Sequence, residues 1–318
     1  MTTEPLLSVE NLVTRYFSAD GAVTAVDRVD FTVRRGEALG IAGESGCGKS
    51  TVALSLMRLV RGGEVASGRI VLGGTSLLEL SRQELDGVRW ERIALVPQAA
   101  MDGLNPVYRI RDQIVEAITA HRAVGKADAR NRAGELLGKV GIDASKFKSY
   151  PHELSGGQRQ RVMIAMALAL EPDLVIADEP TTALDTVTQA RILRLFRKLQ
   201  RELGIAVVFI SHDLSVLAQT CDRVLILYAG QVVELGECGD LLRRPRHPYT
   251  SALVKAYPEL GRHKHKFSGL SGRPPDLAKP PDGCRFAERC PRRREVCDDS
   301  EPALVEVAPG HTVRCHFT

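Results

Sequence analysis

One nine-residue stretch, Gly43-Glu44-Ser45-Gly46-Cys47-Gly48-Lys49-Ser50-Thr51, constrains the chain more than any other. It fits G-x-x-x-x-G-K-S/T at every fixed position. Upstream, the apolar run Ala38-Leu39-Gly40-Ile41-Ala42 reads as a buried strand; downstream, Val52-Ala53-Leu54 and Leu56-Met57 read as a helix. Between a strand and a helix, glycines let backbone N–H groups wrap an anion without Cβ clashes. The helix then points its positive end at the same place. In such a loop Lys49 reaches the β- and γ-phosphates of a nucleotide, and Ser50 supplies a hydroxyl for Mg²⁺.

The rest of the chain fits a nucleotide-binding α/β core with additions. At 318 residues it is long enough for a domain and an appendage. A formal charge of +4 is too small to argue for nucleic acid. No apolar run is long enough to span a bilayer, and Met1-Thr2-Thr3-Glu4-Pro5 lacks a signal-peptide pattern, so a cytosolic chain is expected. Its seven cysteines are then not expected to pair as disulfides.

Leu6 to Val13, Val23 to Val33 and Ser67 to Leu72 read as strands of an antiparallel β layer. Tyr16, ahead of the phosphate loop, is an aromatic that could stack on adenine; taken alone it is more simply core or surface. Leu77 to Arg92 reads as a charged helix, and Ile93 to Val96 as a strand delivering Pro97-Gln98. Gln98 can reach a metal or a water from there, although a loop glutamine with no role is the simpler local reading. Arg109 to Tyr150 reads as a helical insertion broken at Gly125.

Leu154-Ser155-Gly156-Gly157-Gln158 starts a helix running to Leu170, with Ser155 as N-cap and a second anion site at its N-terminus. Leu174 to Ala177 is a buried strand ending in Asp178-Glu179. Two carboxylates at that edge can divide the work, Asp178 on Mg²⁺ and Glu179 on a water. Asp185 leads into a helix from Thr188 to Leu203. The strand Ala206 to Ile210 ends in Ser211-His212-Asp213, where a lone histidine is more often structural. Val224 to Tyr228 and Val232 to Leu235 form a hairpin.

Taken together, these motifs resemble the ATP-binding subunits of ABC transporters over roughly residues 6 to 240. The resemblance implies a P-loop NTPase with a RecA-like core, an antiparallel β subdomain, a helical subdomain over about 99–170 and an ATPase domain over 1–245. It also implies roles, and these reverse the local readings of Gln98 and His212. Tyr16 is similar to the adenine-stacking aromatic, and residues 43–51 to the phosphate loop. Gln98 is similar to the Q-loop residue that touches Mg²⁺. Ser155, Gly156, Gly157 and Gln158 are similar to the signature that contacts the γ-phosphate bound on an opposite subunit. Asp178 resembles the magnesium aspartate, Glu179 the catalytic base, Asp185 the D-loop aspartate and His212 the γ-phosphate switch. One motif set then implies a homologous second ATPase chain.

The closer resemblance is to the oligopeptide/dipeptide importer branch. It rests on the Gly43-to-Gly46 wording of the loop, Leu104-Asn105-Pro106, Tyr150-Pro151-His152-Glu153-Leu154, and Arg246-His247-Pro248-Tyr249-Thr250 opening a long tail. Ala99-Ala100 departs from the Asp-Pro usual in the branch. The branch implies two integral-membrane permeases, an external binding protein and a place on the cytoplasmic face of the cell membrane. An importer of a nickel complex, haem or oligosaccharide, and a soluble ABC ATPase, remain as alternatives.

The tail, Pro258 to Thr318 within an extension over 246–318, reads as a separate unit entered through a Gly- and Pro-rich linker, Gly261 to Pro281. Cys284, Cys290, Cys297 and Cys315 are spaced C-x5-C-x6-C-x17-C, in a segment too short for a core of its own. Four thiolates suit zinc or an iron–sulfur cluster, and free thiols are the third reading. The branch carries this set as a 4Fe-4S site. Arg285, Arg289, Arg292, Arg293 and Arg294 offset cluster charge or form a solvated basic face. Cys47 reads as a small filler, Cys221 and Cys238 as packing or surface residues, and His263 and His265 as solvated.

Overall fold

A computed structural model describes residues 4–18, 21–98, 103–256 and 272–318. The chain gathers into two compact units, one from 1–34, 38–78 and 209–318 and the other from 35–37 and 79–208. The expectations for Ala99-Ala100, for His263 and His265 and for the first half of the linker lie outside the described residues.

The first unit opens with β1 (Leu7–Ser18) and β2 (Gly21–Val33), paired antiparallel with Leu7 opposite Val33 and Val9 opposite Phe31. After β3 (Ala38–Ala42) and α1 (Lys49–Leu56) come β4 (Gly63–Leu72) and the short β5 (Thr75–Ser76). They complete a four-stranded antiparallel layer of order β2-β1-β4-β5. Register shifts after Val9 and Leu12 carry β1 well past the expected end at Val13. That extension sets Tyr16 opposite Gly63, where a Cβ would come 2.1 Å from the carbonyl oxygen of Arg15. Every residue of β3 is buried, as its unbroken apolar run requires.

The second unit holds α2 (Arg82–Val88), β6 (Ile93–Val96), α3 (Ile110–His121), α4 (Lys126–Lys139), α5 (Gly156–Ala167), β7 (Leu174–Asp178) and α6 (Thr186–Leu203). The charged helix expected over Leu77 to Arg92 is only α2. Ser81 starts it with a reciprocal capping box to Glu84, and Trp90, at φ 68°, leaves helical geometry to donate its indole N–H to the Met166 carbonyl at 2.7 Å. β6 and β7 run parallel, Ile93 beside Leu174 and Val96 beside Ala177. The helix expected to reach Leu170 stops at Ala167, and Glu171 turns the chain at φ 58°. α3 and α4 pack on each other and on α5. β8 (Ala206–Ser211) follows, its residues divided between the two units.

The first unit resumes with α7 (Leu214–Thr220), β9 (Arg223–Tyr228), β10 (Gln231–Glu237), α8 (Cys238–Arg243) and α9 (Pro248–Ala256). It ends with α10 (Val296–Asp299), β11 (Leu304–Ala308) and β12 (His311–Arg314). β9 pairs parallel with β3 and antiparallel with β10. β12 then pairs with β10, Glu234 opposite Val313, and β11 closes a hairpin on β12. The compact units therefore divide differently from the expected boundary at 245/246: the tail extends the sheet that carries the phosphate loop. The physical reason is an unpaired edge. β10 is buried along almost its whole length, and β12 supplies backbone partners to it.

A shared aromatic core fixes the same junction. Phe286 of the tail is 2% exposed, with ring centroids of Tyr228 at 5.2 Å, Tyr249 at 5.4 Å and His247 at 5.7 Å. Among the described residues no helix is long and apolar enough to cross a membrane.

Candidate functional site

Three glycines give the phosphate loop its shape. Gly43, Gly46 and Gly48 take φ of 155°, 78° and 106°. A Cβ at Gly43 would lie 2.2 Å from the Leu227 carbonyl oxygen, and one at Gly48 2.4 Å from that of Ala25. The loop is pressed so closely against β9 and β2 that only glycine fits at both places. Gly48 caps α1 without any side-chain hydrogen bond, and the first turn of α1 carries no acidic residue. The leading N–H groups thus meet no anionic side chain, as a phosphate site requires.

Lys49 is 6% exposed and folds its ammonium back to donate to the carbonyls of Gly43 at 2.8 Å and Glu44 at 2.9 Å. Cys47 is buried, and burial pushes its thiol up, which suits an inert filler. Tyr16 stands over the same helix, its hydroxyl 3.5 Å from that of Thr51. The adjacent Phe17 is 59% exposed. Successive side chains of a strand face opposite ways, so Tyr16 alone of the two turns to α1.

In the second unit the elements bring together Gln98, Glu179 and Thr182. One carboxylate oxygen of Glu179 accepts from the Gln98 amide at 3.3 Å and from the Thr182 hydroxyl at 2.9 Å. Glu179 holds φ at 47°, a left-handed conformation costly for a side chain of this kind, directly after the buried Asp178 at the end of β7. Ser155 caps α5 as expected, in a reciprocal box: its hydroxyl accepts from the Gln158 N–H at 3.3 Å, and its own N–H donates to the Gln158 side chain at 3.0 Å. Gly157 abuts α6, where a Cβ would come 2.5 Å from Cγ2 of Thr188. Thr188 in turn donates its N–H to Asp185, the N-cap of α6, at 2.9 Å, and these bonds hold the Asp185 carboxyl below its usual range. Gly157 and Asp185 are thereby coupled through one threonine. His212 is exposed at the turn after β8, beside Asp213, which caps α7.

The tail departs most from expectation. Two of its five arginines form no solvated face. Arg289, its side chain 4% exposed, makes a two-pronged pair with Glu44 of the phosphate loop, at 2.8 and 2.9 Å, and reaches the Tyr228 hydroxyl at 3.2 Å. The hydrogen bond to Glu44 raises the Arg289 pKa further above its ordinary value. Arg285 is as deeply placed, bonded to the Ala229 carbonyl and paired with Asp27 of β2. The Tyr249 hydroxyl accepts the Glu44 N–H at 2.9 Å. Arg292, Arg293 and Arg294 are exposed; they bond Phe317, pair with Asp298 and lie over the Phe317 ring respectively. The sequence names Arg285 and Arg289 only among the charges of the tail, and Tyr249 only within the run Arg246 to Thr250; nothing in either stretch names Glu44 or Asp27 as a partner.

The four tail cysteines lie near enough to act on one another's charge. Burial, and then the charges of Cys297, Cys290 and Cys315, push the Cys284 thiol up to about 11. Burial does the same to Cys290, with Cys315 and Cys297 adding to it. Backbone N–H groups two residues on, those of Phe286, Arg292 and Phe317, donate to the sulfurs of Cys284, Cys290 and Cys315. Cys284 also donates its N–H to the Cys297 carbonyl at 2.7 Å. Among the described residues no three His, Cys, Asp or Glu side chains stand close enough to hold a single metal ion.

Comparison with known proteins agrees with this geometry. Residues 26–182 match the family described as ABC transporter, and residues 233–297 the oligopeptide/dipeptide transporter C-terminal region. A probable peptide ABC transporter ATP-binding protein of Sinorhizobium fredii is 46% identical over 98% of this chain and 94% of its own. A dipeptide transport ATP-binding protein of Bacillus subtilis is 44% identical over 98% and 94%. An oligopeptide transport ATP-binding protein of Salmonella typhimurium is 42% identical over 98% and 93%. Among solved structures, a dimeric ATP-binding cassette in a post-hydrolysis state with ADP and Pi superposes with a TM-score of 0.66 at 30% identity, over 73% of this chain and 98% of that one. A glycine-shaped loop after a buried strand, a helix capped by Ser155 and near full-length likeness at this identity lead to one conclusion: the chain belongs to the ATP-binding subunits of ABC transporters, in the oligopeptide/dipeptide branch.

Proposed function

We propose that this ATPase powers import of di- or oligopeptides, paired with a homologous ATPase subunit on two membrane permeases at the cytoplasmic face, with an external binding protein delivering cargo. The observation that carries the proposal is the C-terminal region, matched as that of oligopeptide/dipeptide transporters and built into the unit that holds the phosphate loop. The alternatives expected above, another cargo or a soluble ABC ATPase, lack such a feature in their favour.

Each residue takes the role its chemistry allows. Tyr16 offers its ring to adenine. The N–H groups of residues 43–51 and the Lys49 ammonium receive the phosphates, Lys49 exchanging two carbonyl bonds for phosphate oxygens. Ser50, Asp178 and Gln98 would serve Mg²⁺, which supplies charge neutralisation at the β- and γ-phosphates. Glu179 takes the proton of the attacking water, oriented by Gln98 and Thr182. Ser155 to Gln158 and Asp185 serve nucleotide held on the partner subunit, and His212 the γ-phosphate. The test is Glu179→Gln: it binds ATP and barely hydrolyses it, and hydrolysis near the parent rate would remove Glu179 as base.

The four cysteines would hold a 4Fe-4S cluster. The reading is supported by the chemistry of a four-thiol donor set, none of it in a disulfide, and by the Phe317 N–H that donates to the Cys315 sulfur at 3.4 Å. Anaerobic protein assayed for metal is expected to yield about four iron and four sulfide per chain. One zinc and no iron makes the site a structural clip; neither metal ends the metal reading.

A further inference from the structure

An anion-binding loop that carries a carboxylate at its second position has a charge problem. Glu44 lies between Gly43 and Ser45, and its backbone carbonyl already holds Lys49. An unmasked carboxylate there opposes a bound triphosphate. Its masking comes from outside the loop, from a residue separated by 245 positions in the chain. Arg289 spans both Glu44 oxygens with a planar fork. Tyr249 holds the Glu44 amide, and the Tyr228 hydroxyl and ring flank the guanidinium.

Arg289 ends a short turn, Ala287–Arg289, set between two of the four cysteines. The Cys284 N–H is tied to Cys297, and the Ala287 N–H to the Cys284 carbonyl. The Cys290 N–H closes on the Ala287 carbonyl at 3.1 Å. Arg289 therefore cannot keep its place unless the cysteine-bearing segment keeps its fold. Around it the segment is bolted down independently, by Phe286 in its aromatic box, by Arg285 on Asp27, and by Glu301 between Arg28 and Arg314.

We propose that Arg289 is a positioning residue for nucleotide binding: it neutralises Glu44 and turns it away from the phosphates, so the state of the cysteine-bearing tail sets the affinity of the loop for ATP. The tail thereby acts as a control element on the nucleotide site. The inference rests on the family assignment alone, and holds whichever metal, if any, the cysteines bind.

The experiment measures ATP affinity and the KM-against-kcat split in the full-length chain, well below its melting temperature. Arg289→Gln is expected to weaken ATP binding roughly tenfold, the scale of one unmasked charge at about 10 Å in an effective dielectric near 20. The loss falls on KM and shrinks as ionic strength rises, because screening acts on the exposed charge. Arg289→Lys, which keeps the charge, recovers most of the affinity. The double variant Glu44→Gln, Arg289→Gln binds ATP more tightly than Arg289→Gln alone. Cys290→Ser, which loosens the segment, weakens binding, and by less in the Glu44→Gln background than with Glu44 in place. Parent-like affinity in Arg289→Gln would overturn the proposal. So would a double variant no tighter than Arg289→Gln, or a loss indifferent to salt. If Arg289→Gln does not fold, the cysteine pair of measurements decides: equal losses in both Glu44 backgrounds refute the coupling.

Discussion

Phe286→Ala tests whether the tail is part of the ATPase unit or an appendage to it. Phe286 is fully enclosed by Tyr228 of β9, and by His247 and Tyr249 at the start of α9. Truncating an enclosed phenylalanine removes its transfer free energy and leaves a cavity that rigid aromatic neighbours fill poorly, together about 3–5 kcal/mol. Edge-to-face contact with two tyrosines places the expected loss near the middle of that range, about 4 kcal/mol. The loss belongs to the whole unit, because β9 is paired with β3 and β10 with β12. Amide hydrogen exchange in β9 and β10 reads it directly: slow amides there should exchange roughly a thousandfold faster. Parent-like protection in those strands, with faster exchange confined to residues 284–318, would show that the tail detaches by itself and refute the shared core.

Two other perturbations follow from contacts already described. Gly157→Ala forces a methyl onto Thr188 Cγ2, at a cost of about 1–3 kcal/mol, and should slow hydrolysis by displacing the signature from Asp185; Thr188→Ser removes the offending carbon and should restore part of the rate, and no restoration would mean the loss is not steric. His247 is buried neutral: desolvation lowers its pKa from 6.5 to about 3, with Arg292 pushing the same way against a hydrogen bond to the Arg314 backbone. The unfolded chain then binds the proton first as pH falls. Its contribution is complete above about pH 6.5 and lost between there and about pH 3, at up to about 1.4 kcal/mol per pH unit. Urea midpoints at pH 7 and pH 5 should therefore differ less in His247→Asn than in the parent, and equal drops would remove His247 as the source.

What could be read from the chain alone was whatever is local. The phosphate loop is written in nine consecutive residues because its conformation is set by glycine positions and by the strand and helix on either side. The same holds for Ser155, whose cap needs only Gln158 three residues on, and for Asp178-Glu179 at the end of a four-residue apolar run. Element ends were less legible. β1 outruns its pattern through three register shifts against β2, and the expected helix over Leu77 to Arg92 contracts to α2 where Ser81 and Trp90 bound it.

The position of the tail could not be read, because its determinants are scattered. Phe286 is one aromatic in a segment of arginines and prolines, and its partners Tyr228 and Tyr249 lie far earlier in the chain. That this chain binds nucleotide phosphates is already legible in residues 43–51, since phosphate recognition by backbone N–H groups is a local property. That Arg285 and Arg289 are buried ion-pair partners rather than solvated charges emerges only in the folded chain. A guanidinium takes such a place only where a carboxylate already waits, and β2 and the phosphate loop supply Asp27 and Glu44.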